Sequence, residues 1–333
     1  MLSTALAALG LLAPAAPLKI ITTTSDLASI AAAVGGNRVT ASSIITGARD
    51  PHRIEARPSF MSRSSSADLW IAVGLDLEVG YESAIIEGSR NRKIRRGSSG
   101  HLYVGELGYI LDKPTGPVSR AHGDIHPQGN PHVWLDPWNG RQIAGGIAAR
   151  LIQLDAAGAG DYRRNLAAFE RRLDSAMFGP ELVERIGGDT LWEWQRSGVL
   201  RQRLADRGQL TALGGWVASL QPFNGRPIVT YHRSLSYFAH RFGLRVVGEL
   251  EPKPGIEPTP GHLASLLRHA QSSGVRAIIQ EGFFPDRHAK FVAGRIGGVV
   301  VKIPQSVGHE AAAKDYISLI DTIVSRISGA LRG

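Results

Sequence analysis

Twice along the chain, short apolar stretches of strand length alternate with amphipathic helical ones, and that order leaves few folds open. The first series reads as Leu18–Thr22, a helix capped at Ser25-Asp26 and ending near Val34, Val39–Ile45, a short helix from Pro58-Ser59, and Leu69–Val73. The second reads as Pro227–Tyr231, a helix over Leu235–Phe242, Arg245–Leu250, a helix over Gly261–Ser272, Ala277–Gln280, a helix over Asp286–Arg295, and Val299–Ile303. A final helix is expected from about Ala313 to Leu331. Strands this apolar, each followed by a helix, are buried on both faces and pair in parallel. Right-handed crossovers then bring every loop that follows a strand to one edge of its sheet. Between the two series, Asp161–Met177 (DYRRNLAAFERRLDSAM) has apolar residues at helical spacing, and no strand is expected until Pro227. The fold class is therefore α/β, with two Rossmann-like lobes of parallel sheet joined by a long rigid linking helix. The expected divisions are 17–160 for the N-terminal lobe, 161–178 for the linking helix and 179–333 for the C-terminal lobe. The last of these carries a helical insert over 179–224, broken at Gly187-Gly188 and Gly214-Gly215, to which no role is assigned.

Residues 1–16 (MLSTALAALGLLAPAA) hold no charged side chain, and their apolar run is too short to span a bilayer. Ala13-Pro14-Ala15 has the small-x-small form of a cleavage site, so the segment reads as a signal peptide, although no Lys or Arg precedes the apolar run. The sequence contains no cysteine, which removes disulfides, thiolate metal ligands, cysteine nucleophiles and a lipid-accepting cysteine. The expected product is periplasmic and not lipid-anchored. Lys and Arg (38) exceed Asp and Glu (29), for a formal charge of +9. The basic run Arg90–Arg96 (RNRKIRR) is short and has no interleaved aromatics, so it reads as a solvated face, and export removes nucleic acid as a partner. Neither a Gly-x-Gly-x-x-Gly or Walker spacing nor a Gly-x-Ser-x-Gly elbow is present, which argues against a nucleotide site and a serine hydrolase.

Three of the eleven histidines stand at comparable places in this scheme. His52 follows the second strand, His132 precedes the helix that Asp136-Pro137 starts, and His232 directly follows PIVTY. Ligands of open parallel sheets bind beyond the carboxyl ends of the strands, and Glu281 follows the strand AIIQ by the same logic. Three imidazoles and one carboxylate make a four-coordinate set suited to a borderline divalent cation. Each alone reads equally as a polar residue at a sheet rim, and Glu281 as a carboxylate at a helix N-terminus. His122 and His126 read as solvated loop residues, although a histidine loop ten residues before a candidate ligand also suits transient metal capture. Asp50, Glu55 and Asp136 are the sequence neighbours able to accept the second N–H of a ligating ring.

The same residues carry a family resemblance. Asp50-Pro51-His52-Arg53-Ile54-Glu55 with Arg57-Pro58-Ser59, then Asn130-Pro131-His132-Val133-Trp134-Leu135-Asp136-Pro137, then Tyr231-His232 with Tyr237-Phe238 and Phe242-Gly243-Leu244, resemble the zinc/manganese-binding group of ABC-transporter solute-binding proteins. The opening Ile20–Leu27 also fits, so the likeness runs through nearly all of the chain after the leader. It implies two lobes around a rigid helix, the metal between them, and delivery to a membrane permease. It places the first three ligands on His52, His132 and His232, and nitrogen-rich sites favour Zn²⁺ over Mn²⁺. The family commonly supplies a late Asp, but the matching stretch here is Ile303-Pro304-Gln305-Ser306-Val307-Gly308, without a carboxylate. Glu281 is then the expected oxygen ligand, with a water or a rearranged Gln305 loop as alternatives. The resulting expectation is a monomeric, non-enzymatic zinc carrier. Two rival readings are a periplasmic zinc hydrolase with Glu281 as general base, and a manganese-binding protein or adhesin of the same fold.

Overall fold

The computed structural model describes residues 16–116, 126–253 and 255–333. Apart from Ala16, the expected leader lies outside the described residues, as do His122 and Asp124. No helix among the described residues is long and apolar enough to cross a membrane.

The first sheet contains β1 (Leu18–Thr22), β2 (Val39–Ser43), β3 (Leu69–Ala72) and β4 (His101–Tyr103), in the spatial order β2-β1-β3-β4. The second contains β5 (Pro227–Thr230), β6 (Arg245–Glu249), β7 (Ala277–Glu281) and β8 (Val299–Ile303), in the order β6-β5-β7-β8. Every pairing is parallel, and the two orders are the same topology used twice. Helices α1 (Ser25–Gly35), α2 (Pro58–Ser64), α3 (Glu82–Gly88) and α4 (Pro137–Leu154) belong to the first lobe, and α5 (Ala159–Phe178) is the linking helix. The insert folds as α6 (Pro180–Ile186), α7 (Gly188–Arg196), α8 (Leu200–Asp206) and α9 (Gly215–Leu220). Helices α10 (Ser236–Phe242), α11 (Pro260–Ser272), α12 (Asp286–Ile296) and α13 (Tyr316–Arg332) complete the second lobe.

Strand periodicity divides the core. Along β1 and β3, Ile20, Leu69 and Ile71 face an inner apolar cluster, while Ile21, Trp70 and Ala72 face an outer one. Along β5 and β7, Ile228, Ala277 and Ile279 join that same inner cluster, and Val229 and Ile278 face a third. The inner cluster is therefore continuous through both lobes, filled by Ile143 and Ile147 of α4, Phe169 and Leu173 of α5, and Ile320 and Ile323 of α13. Each such side chain contributes roughly 1.5–3 kcal/mol relative to exposure. Helix ends are secured by short polar side chains, although α1 is capped by Thr24, which accepts from Leu27 N–H, and not by the expected Ser25-Asp26. Asp136 accepts from Trp138 N–H at 2.8 Å ahead of Pro137, and Asp315 and Ser318 form a reciprocal capping box on α13.

Val133–Leu135 forms a 3₁₀ turn, because the extended Asp136 that precedes Pro137 leaves only a tight turn after His132. Helix α3 and strand β4 go unread in the sequence, since a three-residue HLY strand has no periodicity to detect.

Across the lobes, Asp26 of α1 accepts from Val307 N–H at 2.9 Å, and its second oxygen has no partner among the described residues. Burial pushes its carboxyl from the ordinary 3.8 up to about 7, although the Val307 hydrogen bond pulls the other way. The folded chain thus holds a proton where the unfolded chain has lost it. The associated stability is complete below about pH 4 and lost as pH rises through 7. Asp26→Asn removes the titration. We expect its stability relative to the parent to improve by about 2.5 kcal/mol between pH 5 and pH 8, read from urea melts. A difference that does not vary with pH refutes the assignment.

Candidate metal centre

The loops that leave the carboxyl ends of both sheets meet at three imidazoles. His52 comes from the loop after β2, His132 from the turn before α4, and His232 from the residues just beyond β5. One ring nitrogen of each lies within 4.8 Å of the other two. Nε2 of His52 and Nε2 of His132 are 3.3 Å apart. Tetrahedral zinc with Zn–N bonds of about 2.0–2.1 Å separates its nitrogens by roughly 3.3–3.4 Å, so the spacing fits one shared cation. His132 (1 % exposed) and His232 (8 %) are buried, whereas His52 is partly accessible.

The Asp-Pro-His and Asn-Pro-His motifs perform the same local task. Asp50 Oδ1 accepts the His52 backbone N–H at 2.9 Å, and Asn130 Oδ1 accepts that of His132 at 3.0 Å. In each case a short polar side chain two residues back closes a turn around the proline and presents the imidazole. Asn130 Oδ1 also lies 2.9 Å from His132 Nδ1, which holds the Nδ1–H tautomer and leaves the Nε2 lone pair for a metal. The Asn130 amide group donates in turn to Asp112 Oδ2 and the Arg233 carbonyl, and Tyr237 O–H donates to the Asn130 carbonyl at 2.6 Å.

His232 is oriented by Glu251, whose Oε2 lies 2.7 Å from Nδ1. Burial alone lowers the basicity of this ring, but Glu251, with Glu281 and Asp50 beyond it, outweighs burial and raises it above the ordinary histidine value. His52 and His132 are held well below that value by burial and by the other imidazoles, so both are neutral. We expect Glu251→Gln to weaken metal binding 10- to 100-fold, the range for losing a carboxylate behind a ligating histidine. A chelator competition assay reads this directly, and an unchanged affinity removes Glu251 from the role.

Of the orienting groups expected from sequence, none accepts from a ligating ring. Asp50 caps a backbone N–H, Glu55 is exposed, and Asp136 is taken by the start of α4 and by Arg241. Asn130 and Glu251 take that role instead. Asn130 was visible as the twin of Asp50 in the proline-histidine motif, whereas Glu251 becomes a neighbour of His232 only through the pairing of β5 with β6.

Glu281 ends β7 and is 1 % exposed. It is not within the mutual 4.8 Å of the three histidines. Ser234 O–H donates to its Oε1, while Oε2 is buried without a hydrogen-bond partner among the described residues. Burial raises its pKa, against the pull of His232 and Ser234. Gln305 is likewise buried with an unpartnered Oε1, and its carbonyl accepts from Trp134 Nε1 at 3.1 Å. The ring of His126 lies 5.0 Å from that of His52 and its Nε2 is buried, so this residue sits beside the site and is not the solvated loop residue expected from sequence.

The family described as zinc-uptake complex component A, periplasmic (ZnuA), matches residues 20–177 and 205–330. The chain belongs to the ZnuA family. Its members are substrate-binding components of metal ABC transporters, which work with a membrane permease and are not enzymes. The zinc-hydrolase reading is accordingly not favoured. Among curated relatives, the metal ABC transporter substrate-binding lipoprotein SloC of Streptococcus mutans is 23 % identical over 318 residues, covering 94 % of this chain and 90 % of SloC. The manganese ABC transporter substrate-binding lipoprotein PsaA of Streptococcus pneumoniae is 25 % identical over 282 residues, covering 83 % and 76 %. A crystal structure of ZnuA superposes with a TM-score of 0.65 at 21 % identity, covering 94 % of this chain and 99 % of that one. The shared fold is thus two four-stranded parallel lobes about a long helix. One expectation is overturned. SloC and PsaA are both named lipoproteins, which contradicts a periplasmic product without a lipid anchor. The inference from a missing cysteine reached only the residues in the sequence and does not stand against them.

Proposed function

We propose that this ZnuA-family chain captures Zn²⁺ as cargo on His52, His132, His232 and Glu281 and hands it to the permease of an ABC transporter. The observation that supports the reading most is the convergence of one nitrogen from each of three imidazoles within 4.8 Å of one another, two of them 3.3 Å apart, the spacing of nitrogens that share one tetrahedral cation. Three nitrogen donors favour zinc over the harder manganese ion. Glu281 supplies the fourth donor, because its unpartnered buried oxygen is the kind of atom a cation satisfies. Three neutral rings and one carboxylate leave a bound divalent ion with a net charge of about +1, which suits a carrier that must let go. Manganese is the second reading, supported by the name of PsaA.

The deciding experiment is competition calorimetry of the metal-free protein with Zn²⁺ and Mn²⁺. Tighter zinc binding is expected, and tighter manganese binding overturns the metal assignment. Because Glu251 raises the basicity of His232, coordination must displace its proton. We expect proton release on zinc binding that grows as pH falls through the histidine range, measured from the buffer dependence of the binding heat, with affinity falling as pH drops. Heats independent of the buffer refute this.

A further inference from the structure

Residues 178–204 lie outside the family match, and they fold as the helices α6, α7 and most of α8, with α6 and α7 packed on α5 and Trp192 of α7 lying 5.6 Å from the guanidinium of Arg241 on α10. Where the α7–α8 turn meets the C-terminal end of α10 there is a cavity of about 380 Å³. Its lining includes Arg196 and Arg201 from the insert, and His240 and Arg241 from α10, but no Asp or Glu. Arg241 is neutralised by a two-pronged contact with the buried Asp136. No such partner serves the other two: among the described residues neither Arg196 nor Arg201 pairs with a carboxylate. Arg196 is nevertheless held in place, its guanidinium 4.5 Å from the centre of the Trp138 ring.

We infer that this cavity is a binding site for a small organic oxyanion, distinct from the metal centre. Two guanidinium forks line this one cavity, one of them lying over an indole ring, and such a fork matches the two-oxygen face of a carboxylate or phosphate. The side-chain amides of Gln221 and Asn224 add neutral donors, and Leu200, Val217 and Phe242 offer apolar surface for a short carbon skeleton. The volume is at the small end of ligand pockets, which limits the guest to a few carbons. The general positive charge of the chain does not explain the arrangement. Surface arginines such as those of Arg90–Arg96 do not converge on a cavity free of acids.

The test uses the full chain stripped of metal with EDTA and dialysed, titrated separately with succinate and inorganic phosphate at low ionic strength. Saturable binding of at least one is expected, at least tenfold weaker in an Arg196→Gln/Arg201→Gln double variant whose melting temperature is unchanged. Both arginines are exposed, so the variant should keep its fold. Tighter succinate assigns a carboxylate guest, and tighter phosphate a phosphate ester. No saturable binding, or equal binding by the double variant, overturns the inference. Zinc titration of the same variant keeps the two sites separable: its zinc affinity stands or falls with the histidines, not with these arginines.

Discussion

Replacing His132 by alanine is expected to weaken zinc binding by at least a hundredfold while leaving a folded protein. Zinc held by a full protein ligand set is worth on the order of 10–16 kcal/mol at neutral pH, so one ligand of four carries about 3 kcal/mol. His132 should sit at or above that share. It is 1 % exposed, neutral, and already fixed in the metal-binding tautomer by Asn130, so little ordering remains to be done when the ion arrives. His52→Ala should lose less, because its loop is partly exposed and the neighbouring ring of His126 stands 5.0 Å away. Competition against a chromophoric chelator measures both, with the melting temperature of each metal-free variant as the control. A loss below tenfold for His132→Ala, with an intact fold, removes His132 from the ligand set.

Arg241→Ala should be the most destabilising single change outside the apolar core. The guanidinium makes two parallel contacts of 2.9 Å to Asp136, which is itself 0 % exposed, and it lies 5.6 Å from the centre of the Trp192 ring. Removing it strands a buried carboxylate, for which about 3–5 kcal/mol is the usual penalty. Asp136 also caps α4 next to the turn that carries His132, so the metal affinity of this variant should fall together with its stability. The double variant Arg241→Met/Asp136→Asn should recover much of the loss, since the uncompensated charge is gone. Urea unfolding at pH 7 decides the matter, and a cost under about 1 kcal/mol for Arg241→Ala refutes the argument.

The architecture was legible wherever the chain obeys a period. Seven of the eight strands follow from apolar runs between turn residues, and the linking helix from the spacing of Tyr162, Phe169 and Leu173. β4 escaped because three residues, one of them His101, carry no alternation to read. The three histidines were legible from their positions after strands and from the proline motifs. Their orienting groups were not, because Glu251 approaches His232 only after β6 pairs with β5, a contact that sequence spacing does not encode. Nearness in sequence pointed instead to Asp136, which the fold turns away toward Arg241. The arginine-lined cavity was invisible for the same reason: Arg196 and Arg241 lie far apart in the chain and line one cavity only through packing.

The apolar mass that runs unbroken through both sheets has a bearing on how an ion leaves. There is no plane along which the halves could swing apart like a jaw without wetting that interior, and Trp134 and Tyr316 stitch the same seam through backbone carbonyls. At the proposed metal site, exchange of the ion is therefore expected to fall to the stretch bearing His52, which is tied to the other lobe by the hydrogen bond from Arg53 to the Gly255 carbonyl. Loosening that contact is expected to free the His52 donor and open the proposed site from one side, without a hinge between the lobes.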